Sequence, residues 1–237
     1  DSSNIQSVEV SEELMRRMRA SNLVLGALLG RFGVVKISYP GGCQIGSRPM
    51  NLHLKGLQSL GAKIQERHGY IMAEAKRLAG TDIHLDLPSV GATENIMMAA
   101  VLADGVTAIK NAAREPEIVD LQNFLNNMGC RVKGAGTDTI KIEGVRLSDL
   151  KPAVHSVIPD RIEVGTHIVA SVITGGEVTV TNVIPEHVEP LLAKLREAGV
   201  GITVGDDYVK VQGNGRVKAV DIKTMHYPDF LPICSRR

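Results

Sequence analysis

The sequence predicts an α/β protein in which helices cover sheets, and two series of glycines and one set of paired strands predict it. The first series is a glycine followed by a β-rich run. It occurs at Gly33-Val34-Val35-Lys36-Ile37, Gly105-Val106-Thr107-Ala108-Ile109 and Gly176-Glu177-Val178-Thr179-Val180, with spacings of 72 and 71 residues. The second is a glycine ending a helix-like run, at Gly61, Gly129 and Gly199, with spacings of 68 and 70. Two series in phase indicate an internal repeat of one supersecondary unit. After each member of the second series, two short β-rich runs suit a hairpin.

Each element has a local reason. The apolar segments 23–32, 95–104 and 166–175 read as helices, and the glycine after each supplies the left-handed conformation that ends a helix. The Val/Ile/Thr alternation that follows suits a half-buried strand. Ile64 and Val132 begin a further strand, and Tyr70-Ile71-Met72-Ala73, Ile140-Lys141-Ile142 and Tyr208-Val209-Lys210-Val211 supply its partner. One unit therefore reads helix, strand, helix, strand, strand. Proline clusters at Lys151-Pro152 and Ile158-Pro159-Asp160 mark a joint between the second and third units. The expected domains are residues 1–157 and 158–237.

Length and composition bound the function. The 237 residues suffice for one or two domains at roughly 150 residues each. Lys plus Arg is 27 and Asp plus Glu 26, a net charge of +1, so neither nucleic acid nor an anionic membrane is an expected partner. Aromatic residues make up 3% with no Trp, which argues against base stacking on single strands. The apolar stretches Leu23–Gly30 and Ile96–Ala103 fall short of the roughly 20 residues of a spanning helix. Asp1-Ser2-Ser3-Asn4 shows no signal-peptide pattern and no initiator Met, and reads as a fragment or a processed chain. Cys43, Cys130 and Cys234 form no CxxC pair and no disulfide framework, so a reducing cytoplasm is the expected compartment.

The segment Tyr39-Pro40-Gly41-Gly42-Cys43-Gln44-Ile45-Gly46-Ser47-Arg48-Pro49-Met50-Asn51-Leu52-His53 holds the most chemistry. Two glycines before a cysteine suit a loop that brings the thiol close to a ligand. Arg48 and a helix N-terminus nearby would lower the thiol pKa, and Pro49 fits the first turn of that helix. Cys43 reads equally as a small buried hydrophobe, and His53 as a ligand-facing or a core histidine. Pro88-Ser89-Val90-Gly91-Ala92-Thr93 precedes a helix expected to begin near Glu94. It reads as an anion site of free N–H groups or as an ordinary Ser/Thr cap. Arg16 and Arg17 suit a solvated face, whereas Arg19, at the edge of the apolar segment, suits a cleft. Asp160 and Arg161 stand at the joint, there either to pair across it or to face a ligand. Cys130 reads as core, and His84, Asp120 and His187 lack metal-ligand spacing.

Pro40-Gly41-Gly42-Cys43-Gln44-Ile45-Gly46-Ser47-Arg48-Pro49, followed by Leu52-His53-Leu54, closely resembles the UDP-N-acetylglucosamine 1-carboxyvinyltransferases. The resemblance continues through Met18-Arg19-Ala20-Ser21, Ser89-Val90-Gly91-Ala92-Thr93, Asn111-Ala112-Ala113-Arg114-Glu115-Pro116 and Ile158-Pro159-Asp160-Arg161. It implies an inside-out α/β barrel of repeated βαβαββ units, here incomplete, with two units of the first domain and one of the second. It implies transfer of the enolpyruvyl group of phosphoenolpyruvate to the 3-hydroxyl of UDP-N-acetylglucosamine, with no metal and no organic cofactor, in the first committed step of peptidoglycan synthesis. Cys43 matches the loop cysteine that protonates phosphoenolpyruvate and is alkylated by fosfomycin. Arg48 matches the grip on the phosphate, and Arg19 a ligand of bound substrate. Arg48 to Leu52 and Pro88 to Gly91 match the segments that hold uridine diphosphate; His53, Asp160 and Arg161 join them as candidate substrate contacts.

Two departures accompany the resemblance. The family's Lys-Asn pair lies before Asp1, and where a carboxylate is expected the chain reads Tyr227-Pro228-Asp229-Phe230-Leu231-Pro232 with no Asp after it. A shifted reading frame over residues 231–237 is the expected cause, with Cys234 outside the functional set. The 237 residues alone are expected to be inactive. A non-catalytic UDP-sugar-binding remnant and a Cys43–His53 acyl-transfer enzyme are the competing readings.

Overall fold

The structure, a computed structural model, describes residues 4–5, 7–42, 49–213 and 215–222. Two compact units divide the chain, residues 1–155 and 156–237. In the first, α1 (Glu12–Arg17), a 3-10 turn (Arg19–Leu23) and α2 (Val24–Phe32) lead into β1 (Val34–Ser38), α3 (Asn51–Ser59), β2 (Lys63–Arg67) and β3 (Tyr70–Glu74). The short strand β4 (Asp82–His84) then precedes α4 (Val90–Ala100), β5 (Val106–Lys110), α5 (Pro116–Asn127), β6 (Arg131–Lys133) and β7 (Thr139–Glu143). The second unit holds α6 (Arg161–Thr174), β8 (Glu177–Thr181), α7 (Glu189–Glu197), β9 (Gly201–Val204) and β10 (Tyr208–Gln212).

The repeat read from the glycines is a repeat of topology. The three sheets contain the orders β1-β3-β2, β5-β7-β6 and β8-β10-β9, so the last strand of each unit always lies between the other two. All of these pairs are antiparallel. The middle unit also has β4 parallel to β5, which completes a βαβαββ order. In the first unit that place is reduced to a parallel bridge between Glu9 and Lys36. Each second helix ends in a left-handed glycine, with φ 96° at Gly61, 99° at Gly129 and 90° at Gly199. The first helices differ: Gly33 caps α2 at φ 71°, but α6 is capped by Gly175 at φ 70° rather than by Gly176. The earlier glycine of the pair takes the strained position and leaves Gly176 to enter the strand.

Strand alternation places the core. In β1, Val35 and Ile37 are fully buried, and they pair with the buried Ala73 and Ile71 of β3. Ile109 of β5 faces Ile140 of β7 in the same way. Helix α4 packs chiefly against α2 and α3, and its Ala92, Thr93, Asn95, Ile96, Met97, Ala99 and Ala100 are all buried. A helix covered on most sides needs apolar residues around it, which the run Ile96-Met97-Met98-Ala99-Ala100 supplies. Burying side chains such as Ile96 and Met97 stabilises by roughly 1.5–3 kcal/mol each. Cys130 is 7% exposed and packs in this core, with burial raising its thiol pKa. The second unit has its own core, including Ile168, Leu192, Val209 and Val211. No described helix is long and apolar enough to cross a membrane.

Candidate active site

The starts of α3 and α4 come together in the first unit, and small residues allow it. A Cβ on Gly56 of α3 would stand 2.2 Å from Cδ1 of Ile96, and one on Gly91 would stand 2.9 Å from Cε1 of His53. The segments 49–53 and 88–91, far apart in sequence, therefore meet. Pro49 and Asn51 are exposed, Met50 is buried and Leu52 half-buried. Pro88 is exposed, with Ser89, Val90 and Gly91 half-buried.

His53 is the buried centre of this meeting, 4% exposed. Its Nδ1 lies 2.9 Å from the side-chain nitrogen of Asn95 in α4. That nitrogen also donates to the carbonyl of Gly91 at 3.2 Å, and the Asn95 carbonyl oxygen accepts the N–H of Gly26 at 2.6 Å. Asn22, itself 4% exposed, brings its Nδ2 within 3.8 Å of the Gly91 Cβ position. Burial, together with the positive charge of Arg19, lowers the His53 pKa to about 4, so the imidazole is neutral at physiological pH. Arg19 is half-buried in the 3-10 turn, whereas Arg16 and Arg17 pair with Glu12 and Glu13 on an exposed face.

A second buried polar group lies two residues before Asn95 on α4. Thr93 accepts the N–H of Ala113 at 3.1 Å, which docks the loop Asn111–Glu115 against the helix. Glu115 is 5% exposed and accepts the N–H of Arg114 at 2.8 Å. Next to it, burial first and then the charges of Glu117 and Glu115 push Glu94 up to about 7.

Several sequence expectations need correction. Helix α4 begins at Val90, four residues before Glu94, because the Ser89 hydroxyl accepts the N–H of Ala92 at 3.4 Å and caps it there. Ser89 is thus a cap as well as part of the candidate site. Pro49 precedes the helix rather than entering its first turn: α3 begins at Asn51, with Met50 as its cap residue. Asp160 caps α6, its Oδ1 accepting the N–H groups of Ile162 at 2.8 Å and Glu163 at 3.1 Å. It also rims an open groove beside β8 with Glu163 and His167. Arg161 is buried in the second unit, 3% exposed. Cys43, Arg48 and residues 231–237 lie outside the described residues. No described group of three or more His, Cys, Asp and Glu side chains is placed to hold a metal ion. Asn22, Glu94 and Asn95 were not foreseen; the signal available was a polar pair, Glu94-Asn95, inside an apolar helix.

The profile of the EPSP synthase (3-phosphoshikimate 1-carboxyvinyltransferase) family matches residues 1–234. The chain belongs to this family. Among its relatives, UDP-N-acetylglucosamine 1-carboxyvinyltransferase 1 of Caldanaerobacter subterraneus subsp. tengcongensis is 61% identical over 227 residues, covering 96% of this chain and 54% of the relative. The protein of the same name from Carboxydothermus hydrogenoformans is 59% identical over 226 residues, covering 95% of this chain and 53% of the relative. The chain thus spans about half the length of the curated relatives it matches. Among solved structures, the enolpyruvyl transferase NikO from Streptomyces tendae superimposes with a TM-score of 0.78 at 25% identity, covering 90% of this chain and 51% of NikO. EPSP synthase from Acinetobacter baumannii shares the fold at a TM-score of 0.63 and 20% identity. The fold is that of the enolpyruvyl transferases, present here in part.

Proposed function

We propose that this chain supplies one wall of an enolpyruvyl transferase site. The reaction moves the enolpyruvyl group of phosphoenolpyruvate onto the 3-hydroxyl of UDP-N-acetylglucosamine and releases phosphate. The observation that carries the proposal is the meeting of segments 49–53 and 88–91 around a buried, neutral His53 with Arg19 beside it. A helix start with free N–H groups, a nearby guanidinium and a close-approach glycine suit a diphosphate. The names of the relatives supply the sugar nucleotide.

In the proposed chemistry, the sugar hydroxyl gives its proton to the carboxylate base that the family resemblance implies and adds to C2 of phosphoenolpyruvate, while Cys43 delivers a proton to its methylene carbon. Loss of a proton from that carbon then expels phosphate and restores the double bond. Cys43 acts as the general acid. Arg48 holds the phosphate through its planar, two-pronged guanidinium. Residues 49–52 and 88–91 hold the uridine diphosphate, and Asp160 contacts substrate from the second domain, proposed to begin at residue 158. Peptidoglycan synthesis in the cytoplasm is the proposed setting, and no metal or organic cofactor takes part.

Phosphate release from phosphoenolpyruvate, with and without UDP-N-acetylglucosamine, tests the reading, alongside thermal shift with the sugar nucleotide. The 237 residues alone are expected to be stabilised by the sugar nucleotide but not to turn over. The full-length Caldanaerobacter relative should release phosphate only with both substrates. Stabilisation by neither substrate would contradict the proposal.

A further inference from the structure

The amide of Asn95 can be oriented in one way only. The backbone N–H of Gly26 is a donor, so the Asn95 atom 2.6 Å from it must be the acceptor oxygen. The amide NH2 is then left facing His53 at 2.9 Å and the Gly91 carbonyl at 3.2 Å. An NH2 group donates and cannot accept, so Nδ1 of His53 must be the bare nitrogen and the proton must sit on Nε2. Gly26 permits this close approach of α2 and α4, since a Cβ there would stand 2.1 Å from the backbone oxygen of Asn95. The Nε2 edge of the ring lies toward Gly91, 3.4 Å from the position a Cβ would take there. Among the described residues, Arg19 is the charged group that bears on the ring.

We propose that Asn95 is a positioning residue: its amide holds His53 neutral with the proton on Nε2, and so makes the imidazole a hydrogen-bond donor at the head of α4, suited to a phosphate oxygen. The donor role rests on the nucleotide site proposed above; the tautomer does not. Asn95 reaches no substrate itself and acts through the ring. Its two other hydrogen bonds tie α2 and the first turn of α4 to the same amide, so the ring is fixed relative to both helices.

Two-bond 1H–15N correlation spectra of the histidine-labelled 237-residue protein at pH 7 read the tautomer directly, with His53→Gln used to assign the signal. The native ring is expected neutral with Nε2 protonated. Asn95→Asp keeps an acceptor for Gly26 but offers His53 an acceptor too, so the ring is expected to gain a proton on Nδ1. Asn95→Leu adds no charge and is expected to weaken UDP binding about tenfold, the loss of one oriented donor. A native ring protonated on Nδ1 overturns the proposal whether or not the variants fold. So does Asn95→Asp with the native tautomer retained, or Asn95→Leu with unchanged UDP affinity. Native protein that fails to bind UDP counts against the nucleotide site, while its tautomer still decides the role of Asn95.

Discussion

The side-chain nitrogen of Asn95 stands 2.9 Å from Nδ1 of His53, across 42 residues of sequence. This bond joins the first turn of α3 to the second turn of α4, helices from neighbouring repeats. It is buried, so leaving either partner unsatisfied costs roughly 1–3 kcal/mol.

The first prediction concerns pH and follows from two buried groups with opposite signs. His53 has its pKa lowered to about 4 from 6.5, so the unfolded chain binds more protons between those values. Its contribution to stability is complete above pH 6.5 and is lost as pH falls toward 4. Glu94 has its pKa raised to about 7 from 4.5, so here the folded chain binds more protons. Its contribution is complete below pH 4.5 and is lost as pH rises through 7. The slopes oppose each other between pH 4.5 and 6.5. Glu94→Gln should unmask the His53 slope, with stability rising by up to about 3 kcal/mol from pH 4 to 6.5. Urea unfolding across this range checks it; a curve for Glu94→Gln parallel to the native one would contradict the assignment.

Gly26→Ala should be among the costliest single-methyl changes in the chain. The added carbon would lie 2.1 Å from the backbone oxygen of Asn95, and backbone cannot swing aside as a side chain would. Overpacking of this kind costs about 1–3 kcal/mol, and the Asn95–His53 bond should be disturbed with it. Gly69→Ala is the comparison, since no atom lies within 4 Å of its Cβ position, although its φ of 80° carries a strain of its own. Denaturation midpoints should fall further for Gly26→Ala than for Gly69→Ala.

Much of the fold could be read because its repeat is written in glycines and β-branched alternation, which are local signals. Gly61, Gly129 and Gly199 mark equivalent helix ends in the sequence and in space. The start of α4 was harder: Ser89 and Thr93 are both reasonable caps, and only packing decides that Ser89 caps while Thr93 turns inward to hold Ala113. Arg161 gave no sign that a charged residue at a joint would be 3% exposed. Asn95 was illegible for a similar reason: its meaning depends on Gly26 and His53, whose approach to it is set by tertiary packing.

In a full-length context, Cys43→Ala should abolish fosfomycin labelling and most turnover at neutral pH. Cys43→Asp should escape the drug yet keep measurable turnover, because a carboxyl group can also supply the proton. Cys130 should stay unlabelled in both, being 7% exposed with a thiol pKa raised by burial. Peptide mass spectrometry reads the labelling and phosphate release reads the turnover; drug found on Cys130 with Cys43 unmodified would refute the assignment.

Hydrogen exchange of backbone amides in the 237-residue protein, with and without UDP-N-acetylglucosamine, tests most directly whether the heads of α3 and α4 form the nucleotide site. Slowed exchange centred on residues 49–53 and 88–95 is the expected result. No change in those segments at saturating ligand, or protection confined to residues 156–237, would contradict it.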